Sequence, residues 1–554
     1  MNLEEEQLEL NGTVDAVLFS NEENGYTVLK LRDENDELQT VVGCFPYIAP
    51  GESILAVGSY TEHPSYGRQF KTEYSQRILP SSARAIFDYL AGGAVKGIGP
   101  ATASLIVNNF GAKSLEILEK KPEKLEAIRG ISHAKAVEFS ERYRRLLTLR
   151  DLLAFVCSFS VKPFTALRLY RFYGDKAMEK LRADPYILAQ PQIGGAFHEA
   201  DNMALELGFA LESSERVRAG ILFELTHNVN NGHCFLPQNA LIGASATLIE
   251  VEEDSVAEQL EELVAQNQII REELNHTVAC YLPEMYAAET GIASRLIRMN
   301  TLPGKSPLPE SIISGIEERY GITYAPEQKK ALKYASERRV LVITGGPGTG
   351  KTACLRAILD IYEMQGLKAL LCAPTGRAAK QMAEVTGREA ATVHRLLEAQ
   401  MAEGEDRLAF HKDEEDPLEC DVVILDECSM VDLLLFDALL KALPENAGLI
   451  LVGDVDQLPP VGPGNVFRAV IESGLFPTVC LSEIFRQAAD SDIVRNAHMI
   501  NRGEHPDFSE NVGDFFRLRR MQAGSVAETV VELCSTRLPQ KMRIPPEEIQ
   551  VLTP

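Results

Sequence analysis

The stretch Val340-Leu-Val-Ile-Thr-Gly-Gly-Pro-Gly-Thr-Gly350-Lys351-Thr352 decides the fold of the C-terminal half of this chain. A short apolar strand leads into G-x-x-x-x-G-K-[ST], and a helical stretch follows. Glycines let backbone N–H groups close around phosphates, and the start of the helix adds favourable partial positive charge. The pattern predicts a phosphate-binding loop (P-loop) for ATP, with Lys351 at the β- and γ-phosphates and the Thr352 hydroxyl on Mg²⁺. The predicted nucleotide-binding loop residues are Gly346, Pro347, Gly348, Thr349, Gly350, Lys351 and Thr352.

Two later strand ends carry the other groups that nucleoside triphosphate hydrolysis needs. The apolar run Val422–Leu425 is followed by Asp426 and Glu427, and the run Leu449–Val452 leads to Gln457. Asp426 at the end of a strand suits the surroundings of Mg²⁺, and Glu427 could polarise the attacking water. A glutamine at a strand tip can sense the γ-phosphate and transmit its loss to a second domain. Short strands alternating with helices from Ser311 onward predict a parallel α/β sheet.

The first 80 residues show a different pattern. Four short apolar or alternating strands, separated by turn signals, predict a small barrel, plausibly of the oligonucleotide-binding (OB) type. A barrel that serves only packing or protein contact fits this pattern equally well. The four predicted strands are Thr13–Phe19, Tyr26–Arg32, Leu38–Gly43 and Ser53–Tyr60.

A helical repeat follows the predicted barrel. The stretch Phe110-Gly-Ala-Lys-Ser-Leu-Glu-Ile-Leu resembles Tyr173-Gly-Asp-Lys-Ala-Met-Glu-Lys-Leu, and each copy leads to a turn that contains glycine. Such a repeat predicts tandem modules that share one stacked core. Residues 206–310 have the pattern of amphipathic helices with an acidic outer face.

The formal charge of −25 over 554 residues argues at first against a polyanionic partner. The charge is unevenly distributed, however. Residues 81–190 hold eighteen basic and eleven acidic side chains, whereas residues 201–300 hold five and sixteen. A polyanion is therefore expected to bind along residues 81–190. The ten cysteines are widely spaced and no apolar run approaches the ~20 residues that span a bilayer, so we expect a cytoplasmic protein with reduced thiols and no membrane contact.

Together these motifs resemble the RecD/TraA branch of superfamily 1 helicases (superfamily 1B), and most closely the long-form, stand-alone RecD-like DNA helicases. Pro326-Glu-Gln328 resembles the Q-motif, Ala373-Pro-Thr375-Gly376-Arg377 motif Ia, and Leu481-Ser-Glu-Ile-Phe-Arg486 motif IV. The resemblance implies that Gln328 contacts adenine and that Arg486 contacts the γ-phosphate. It also implies contacts with single-stranded DNA by Thr375, Gly376, Arg377, Thr392 and His394.

The resemblance also suggests a function for the helical repeat. Lys96-Gly97-Ile-Gly99-Pro looks like the turn of a helix-hairpin-helix, and Arg129-Gly130-Ile-Ser-His-Ala-Lys135 looks like a degenerate second copy. Glycine in such a turn lets backbone N–H groups approach a phosphate closely, which gives contact independent of base sequence. We therefore expect DNA binding by Lys96, Gly97, Gly99, Arg129, Gly130 and Lys135, whereas the acidic copy at Ile193–Asp201 is expected to pack.

The expected architecture is multidomain. It comprises an OB-like barrel (1–80), tandem helix-hairpin-helices (81–205), a helical linker domain (206–310), a RecA-like P-loop lobe (311–480) and the start of a second RecA-like lobe (481–554), which ends in a strand-like Gln550-Val-Leu-Thr-Pro554.

The resemblance implies an ATP-dependent 5′→3′ DNA helicase that acts on single-stranded DNA and tailed duplexes, in repair or recombination. Because the motifs of a full second lobe have no match here, the alternative is an ATP-gated DNA-binding module without unwinding. The partial lobe also leaves open a replication or repair partner, or a polypeptide that supplies the rest of that lobe. A relaxase–helicase is disfavoured, because the N-terminal third has no histidine triad, and an exonuclease-complex subunit is disfavoured by the barrel and repeats.

Overall fold

The computed structural model describes residues 8–21, 25–33, 35–45, 48–63, 67–190, 192–304, 307–401, 408–483, 491–508 and 513–553. The chain divides into two compact units. Residues 1–289 with 399–411 form the first unit, and residues 290–398 with 412–554 form the second.

The first unit begins with a closed five-stranded barrel, which confirms the OB-like prediction. The chain's first strand pairs antiparallel with the fourth (Leu8–Thr13 with Ser53–Gly58), and the third and fifth pair in parallel at Val41 and Phe70. The four predicted strands are present but longer, and the fifth was missed because its sequence is mostly polar; Phe70 is its one buried apolar side chain among those whose exposure is described. The strands are Leu8–Ser20, Tyr26–Asp33, Leu38–Cys44, Ser53–His63 and Gly67–Ile78.

The repeat predicted from the sequence is confirmed in the helices that follow. Pro100 and Pro163 each begin a helix, Gly111 and Gly174 each begin a 3₁₀ turn, and each second member lies 63 residues after the first. The first module contains helices Ala83–Ala91, Pro100–Phe110, Ser114–Lys120 and His133–Ser158, with 3₁₀ turns Gly111–Lys113 and Pro122–Ala127. The second adds helices Pro163–Tyr173, Ala177–Ala183 and Phe197–Glu206, with 3₁₀ turns Gly174–Lys176 and Pro185–Ala189.

The two modules share a helix rather than a core, so the prediction of one stacked core is wrong. Helix His133–Ser158 has 26 residues and is therefore about 39 Å long. Its first half contributes Phe139 and Tyr143 to the core of the first module, whereas its second half contributes Leu152 and Val156 to another core. A single small core cannot cover a helix of this length, so each half of the helix packs into a different core.

Residues 206–310 contain a small sheet, so the purely helical interpretation of this region is wrong. The three strands have only three to five residues each, too short for a periodic signal. Two of them join at Asn275 and His276, whose positive φ angles of 47° and 69° are those of a tight hairpin turn. The strands are Phe235–Pro237, Ile270–Leu274 and Thr277–Tyr281, and the helices are Ser214–Asn230, Gln238–Ile249, Glu253–Ala265 and Pro283–Thr301.

A buried ion pair ties the second helical module to this region. Arg216 Nε donates to Asp201 Oδ1 at 2.7 Å, and the two side chains are 7% and 15% exposed. Arg216 also donates to the backbone oxygen of Ile249, and the Tyr186 hydroxyl donates to Asp201 Oδ1. Burial alone would raise the pKa of Asp201, but the hydrogen bonds from Arg216 and Tyr186 hold it below the usual value. One hydrophobic core continues on both sides of this pair, from Leu149 to Cys280.

The second unit is built on a six-stranded sheet whose strands are all parallel, as predicted. The predicted strands agree with the structure to within one residue at each end, and two short outer strands were missed. In spatial order the strands are Ala390–Thr392, Ala369–Ala373, Val422–Leu425, Gly448–Gly453, Val340–Gly345 and Thr478–Leu481.

Helices flank this sheet in the second unit. The helices before and within the sheet region are Glu310–Tyr320, Pro326–Glu337, Lys351–Met364, Gly376–Thr386, Val393–Leu396, Leu433–Ala442 and Val466–Glu472, with a 3₁₀ turn at Cys428–Met430. Helices Asp492–Asn501, Ala523–Glu532 and Leu538–Met542 follow the last strand, with a π-helical turn Leu533–Arg537 and a 3₁₀ turn Pro546–Glu548. A two-stranded hairpin, Ala399–Met401 with Leu408–Phe410, is inserted between the third and fourth strands of the sheet in chain order.

The regular elements that the structure describes after the last strand are all helical. The strand-like pattern at Gln550–Thr553 is not realised, because these residues pair with no strand and adopt no regular structure. Gln550 instead accepts a hydrogen bond from Arg377. Four apolar or small side chains in a row are too weak a signal without a neighbouring strand to pair with.

We predict that Asp201→Ala lowers the free energy of unfolding by about 3–5 kcal/mol at neutral pH, because it leaves the buried Arg216 guanidinium unpaired. The measurement is urea unfolding followed by circular dichroism. The pair requires ionised Asp201, so the difference from the unsubstituted chain should shrink as the pH falls through the lowered pKa of Asp201.

The matched control for this prediction is Asp15→Ala. Asp15 pairs with Arg32 at 2.7 Å, but both side chains are about two-fifths exposed. An exposed pair contributes about 0–1 kcal/mol. Equal losses for both variants would contradict a special role of the buried pair.

Candidate functional site

The P-loop lies between the buried strand Val340–Gly345 and the helix Lys351–Met364. Gly348 and Gly350 have φ angles of 76° and 81°, which non-glycine residues rarely adopt, so these glycines set the curvature of the loop. The loop lines a cavity of about 650 Å³. Besides residues 346–352, that cavity is lined by Glu427, Asp454, Asp456, Gln457, Ala497 and Asn501.

Side chains of the P-loop itself hold its shape. Lys351 Nζ donates to the backbone oxygens of Gly345 and Gly346, the latter at 3.2 Å, so the ammonium lies within the curve of the loop. The Thr349 hydroxyl donates to the Gly346 oxygen at 2.9 Å and is therefore used inside the loop. The predicted phosphate contacts thus come from Lys351, Thr352 and the backbone N–H groups, with the Thr349 hydroxyl in a supporting position.

Glu427 lines the cavity, and Asp426 precedes it at the end of the strand Val422–Leu425, where its carboxyl interacts with the charge of Lys351. Burial raises the pKa of the Asp426 carboxyl, and the hydrogen bond from the Glu427 N–H and the charge of Lys351 oppose that shift. Burial and the neighbouring Asp426 likewise raise the pKa of Glu427. Glu427 has a φ of 52°, and its Oε2 is buried without a hydrogen-bond partner in the described part of the chain. A strained, buried carboxylate with a free oxygen is suited to accept a proton from water.

Gln457 connects Glu427 to a residue that the sequence did not single out. The Ser429 hydroxyl donates to Gln457 Oε1 at 3.3 Å, and a hydrogen bond from Gln457 to Glu427 counters the raised pKa of that carboxyl. The hydroxyl two positions after the acidic pair is the only signal in the sequence that could have identified Ser429. Gln457 is therefore placed to respond to changes at Glu427.

One predicted nucleotide contact, Gln328, does not line this cavity. Gln328 is 1% exposed, accepts a hydrogen bond from the Ala325 N–H and donates to the backbone oxygens of Thr349 and Gly350 at 3.4 and 3.5 Å. It lies behind the P-loop, and its contact with adenine stays a prediction. Arg486 falls outside the described residues, and its role also stays a prediction.

The residues of the second unit that were predicted to contact DNA follow the ends of two neighbouring strands of the sheet. Ala373 pairs with Thr392 at the ends of two neighbouring parallel strands. Thr375 and Thr392 each cap the helix that follows, accepting from the N–H groups of Ala378 and Arg395 at 3.2 and 3.1 Å. The remaining predicted contacts follow these caps in sequence: Gly376 and Arg377 after the first, and His394 after the second.

The two predicted DNA-binding hairpins belong to the first helical module. Gly97 and Gly130 have φ angles of 97° and 101°, and Lys96, Arg129 and Lys135 are exposed. Apolar residues of both hairpins join one core, so the hairpins are held as a pair. In the described residues no hydrogen bond uses the N–H groups of Gly97, Gly99 or Gly130.

The second module has the same two turns, but their chemistry differs. Ser160, with a φ of 60°, occupies the position of Gly97, a copy that the sequence interpretation missed because it lacks glycine. At the other turn the N–H groups of Gly194 and Gly195 donate to the backbone oxygens of Gln190 and Leu188 at 2.8 and 2.9 Å. The expectation that the copy at Ile193–Asp201 packs is confirmed by these bonds and by the buried Asp201.

Comparisons with protein families match three regions of the chain. Residues 7–80 match the OB-fold domain of the ATP-dependent DNA helicase YrrC. Residues 147–235 match the helix-hairpin-helix domain of the ATP-dependent RecD2 DNA helicase, and residues 328–463 match an AAA domain. The second family match covers the second helical module and the ion pair that anchors it.

Individual relatives agree with these family matches. The chain is 30% identical over 529 residues to the ATP-dependent RecD2 DNA helicase of Deinococcus radiodurans, which covers 91% of this chain and 71% of that protein. It is 33% identical over 215 residues to the RecBCD enzyme subunit RecD of Mycobacterium tuberculosis, which covers 35% of this chain and 36% of that one. It is 36% identical over 137 residues to the ATP-dependent DNA helicase dda of Enterobacteria phage T4, covering 24% of this chain and 31% of that one.

The described helices include none that is long and apolar enough to cross a membrane. None of the ten cysteines forms a disulfide, and the described residues bring no three His, Cys, Asp or Glu side chains together at metal-binding distance. Because three helicase-type domains match in this chain and 91% of it aligns at 30% identity with a RecD2 DNA helicase, the chain belongs to the RecD-like superfamily 1 helicases and is an ATP-dependent DNA helicase.

Proposed function

We propose that this helicase hydrolyses Mg²⁺-ATP in the P-loop cavity to move 5′→3′ along single-stranded DNA and to open tailed duplexes. The observation that carries the proposal is the convergence of the P-loop, Glu427 and Gln457 on one cavity, with Asp426 directly before Glu427 in the chain. Thr375 and Thr392 end two further strands of the same parallel sheet. ATP hydrolysis and strand contact would thus be served by neighbouring strand ends of one rigid sheet.

Mg²⁺ fits the residues at this cavity. It prefers oxygen ligands and is usually held by one or two carboxylates, waters and the phosphates of its nucleotide. The Thr352 hydroxyl and the Asp426 carboxylate would supply the protein oxygens, and the ion would neutralise charge on the phosphates when bound. Lys351 would hold the phosphates, Glu427 would take the proton of the attacking water, and Arg486 would stabilise charge on the γ-phosphate.

In this proposal, the first helical module binds the DNA. The unpaired N–H groups of Gly97, Gly99 and Gly130 would bind backbone phosphates, and Lys96, Arg129 and Lys135 would add local positive charge. The proposed division of the chain remains the one expected from the sequence, with boundaries after residues 80, 205, 310 and 480. The free thiols fit a reducing compartment, and we propose a cytoplasmic role in repair or recombination with further protein partners.

The alternative, an ATP-gated DNA-binding module without unwinding, is not favoured, because the match to a helicase extends over 91% of the chain. The deciding experiment measures ATP hydrolysis with and without single-stranded DNA, together with strand displacement on 5′-tailed and 3′-tailed duplexes. DNA-stimulated hydrolysis with displacement from the 5′ tail alone is expected. ATP-dependent DNA binding without turnover, or displacement from the 3′ tail, would contradict the proposal.

We predict that Lys351→Ala abolishes ATP turnover, because the ammonium is the one cation within the curve of the loop in the described residues. DNA binding in the absence of nucleotide should be unchanged within about twofold, since the hairpins lie in another unit of the chain. Steady-state ATPase and fluorescence anisotropy with labelled DNA measure the two quantities. Unaltered hydrolysis would show that the P-loop is misassigned.

We predict that Glu427→Gln separates nucleotide binding from hydrolysis. The amide keeps the size and hydrogen bonding of the side chain but cannot accept a proton, so kcat should fall about 10²- to 10⁴-fold. ATP affinity should remain or improve, because the substitution removes a negative charge beside the phosphates. Asp456→Asn, at a neighbouring carboxylate of the same cavity, is the matched control and should change kcat far less.

We predict that Lys96→Ala, Arg129→Ala and Lys135→Ala, combined, weaken DNA binding and flatten its salt dependence. Each lost phosphate contact should reduce the slope of log affinity against log salt by about 0.7–0.9. The control combines Lys113→Ala, Lys120→Ala and Lys124→Ala, which removes the same charge from the segment between the hairpins. Equal effects of both triple variants would indicate diffuse attraction instead of hairpin contacts.

A further inference from the structure

One face of helix Asp492–Asn501 packs against the P-loop within the second unit. Ala497 and Asn501 of this helix line the nucleotide cavity. Between them in sequence, the imidazole of His498 lies against Gly346. A methyl group added to the Cα of Gly346 would come within 2.9 Å of His498 Cε1 and 3.6 Å of its Nε2. The absence of a side chain at Gly346 therefore lets the ring approach the loop backbone.

The Nε2 atom of His498 has no structural use in the described chain. It is buried and has no hydrogen-bond partner there, and a buried polar atom left in this state costs stability. The helix is held by other groups: Asn496 bonds to the backbone of Asp492 and Asp507, and Ser491 caps its start. An apolar side chain would fill the same space as His498 without that cost, so the nitrogen itself needs an explanation.

The position of His498 along the P-loop indicates which ligand atom it would meet. Lys351 Nζ contacts the Gly346 oxygen, so the ammonium and the imidazole both come to the same residue of the loop. Lys351 is the group that reaches the β- and γ-phosphates. Glu427, which lines this cavity, also has a buried polar atom without a partner among the residues described, its Oε2. A bound nucleoside triphosphate and its attacking water would satisfy both atoms: a phosphate oxygen accepts from an imidazole N–H, and water donates to a carboxylate.

We propose that His498 is a substrate-contacting residue of the ATP site, whose Nε2–H donates a hydrogen bond to an oxygen of the γ-phosphate. The bond links helix Asp492–Asn501 to the P-loop while the γ-phosphate is present, and it is lost when hydrolysis leaves ADP. The helix thereby senses which nucleotide is bound. This inference rests on the proposed ATP site and adds a residue that neither the sequence motifs nor the comparisons assign.

The test compares the affinities for a non-hydrolysable ATP analogue and for ADP in the full chain. We expect His498→Ala to weaken binding of the analogue about 10- to 100-fold, as for loss of a hydrogen bond to a charged group, while ADP affinity changes less than about twofold. His498→Gln should restore most of the analogue affinity, because its amide nitrogen reaches about as far as Nε2. His498→Asn, whose amide lies nearer to the position of Nδ1, should not.

The matched control is His505→Ala, since His505 is an exposed histidine just beyond the same helix. It should leave both affinities unchanged. Parallel losses of analogue and ADP affinity in His498→Ala would show that the imidazole only packs against the loop, and no loss would show that it makes no contact; either result overturns the proposal. If the wild-type chain binds ADP and the analogue equally well, the proposed γ-phosphate contact is also overturned. If the wild-type chain binds neither nucleotide, the proposed ATP site is overturned as well.

Gly346→Ala tests the same contact if His498→Ala does not fold. The added methyl group would push the ring away from the loop, so analogue affinity should fall more than ADP affinity. If the ring makes the phosphate contact, both substitutions remove the same bond. The double variant Gly346→Ala/His498→Ala should then lose no more analogue affinity than the more strongly affected of the two single variants. Additive losses would overturn the proposal.

Discussion

The helicase site depends on three neighbouring parallel strands that cannot shift relative to one another. Every residue of Val340–Gly345, Val422–Leu425 and Gly448–Gly453 is buried, and the strands pair in continuous register. A slip by one residue would turn each buried side chain to the wrong face of the sheet. The loops that follow these strands are therefore fixed at one edge, which brings the P-loop, Asp426–Glu427 and Gln457 together without any direct bond among all three.

This rigid edge supports a site that would be unstable alone. Glu427 combines a positive φ, burial, a raised pKa and an unpartnered oxygen, and each of these opposes folding. The buried nitrogen of His498, next to Gly346 of the loop, adds a further cost. Such features persist where the surroundings determine the conformation and where a ligand satisfies the free atoms. The polar atoms without partners around the P-loop thus indicate the chemistry of the absent substrate as clearly as the bonds that are made.

The sequence predicted most accurately those elements in which one physical signal dominates. Val422–Leu425 is continuously apolar and β-branched, so its limits were correct. The strand Gly67–Ile78 is mostly polar because a barrel strand needs few inward apolar residues, and it was missed. The P-loop motif predicts the phosphate contacts, but His498 and Ser429 carry no motif, and only the fold brings His498 to Gly346 and Ser429 to Gln457. Gln328 shows the converse, since its motif does not reveal that the amide faces the loop carbonyls.

The two helical modules show how one repeated unit can take two roles. In the first module the turn glycines keep their N–H groups unpaired, and the neighbouring cations are exposed. In the second module Ser160 replaces glycine at a strained φ, the N–H groups of Gly194 and Gly195 bond within the turn, and Asp201 is used in a buried ion pair. A backbone N–H group that already donates a hydrogen bond within the fold cannot also bind a phosphate. The difference in free backbone donors supports the proposal that, within the basic segment 81–190, the first module contacts DNA.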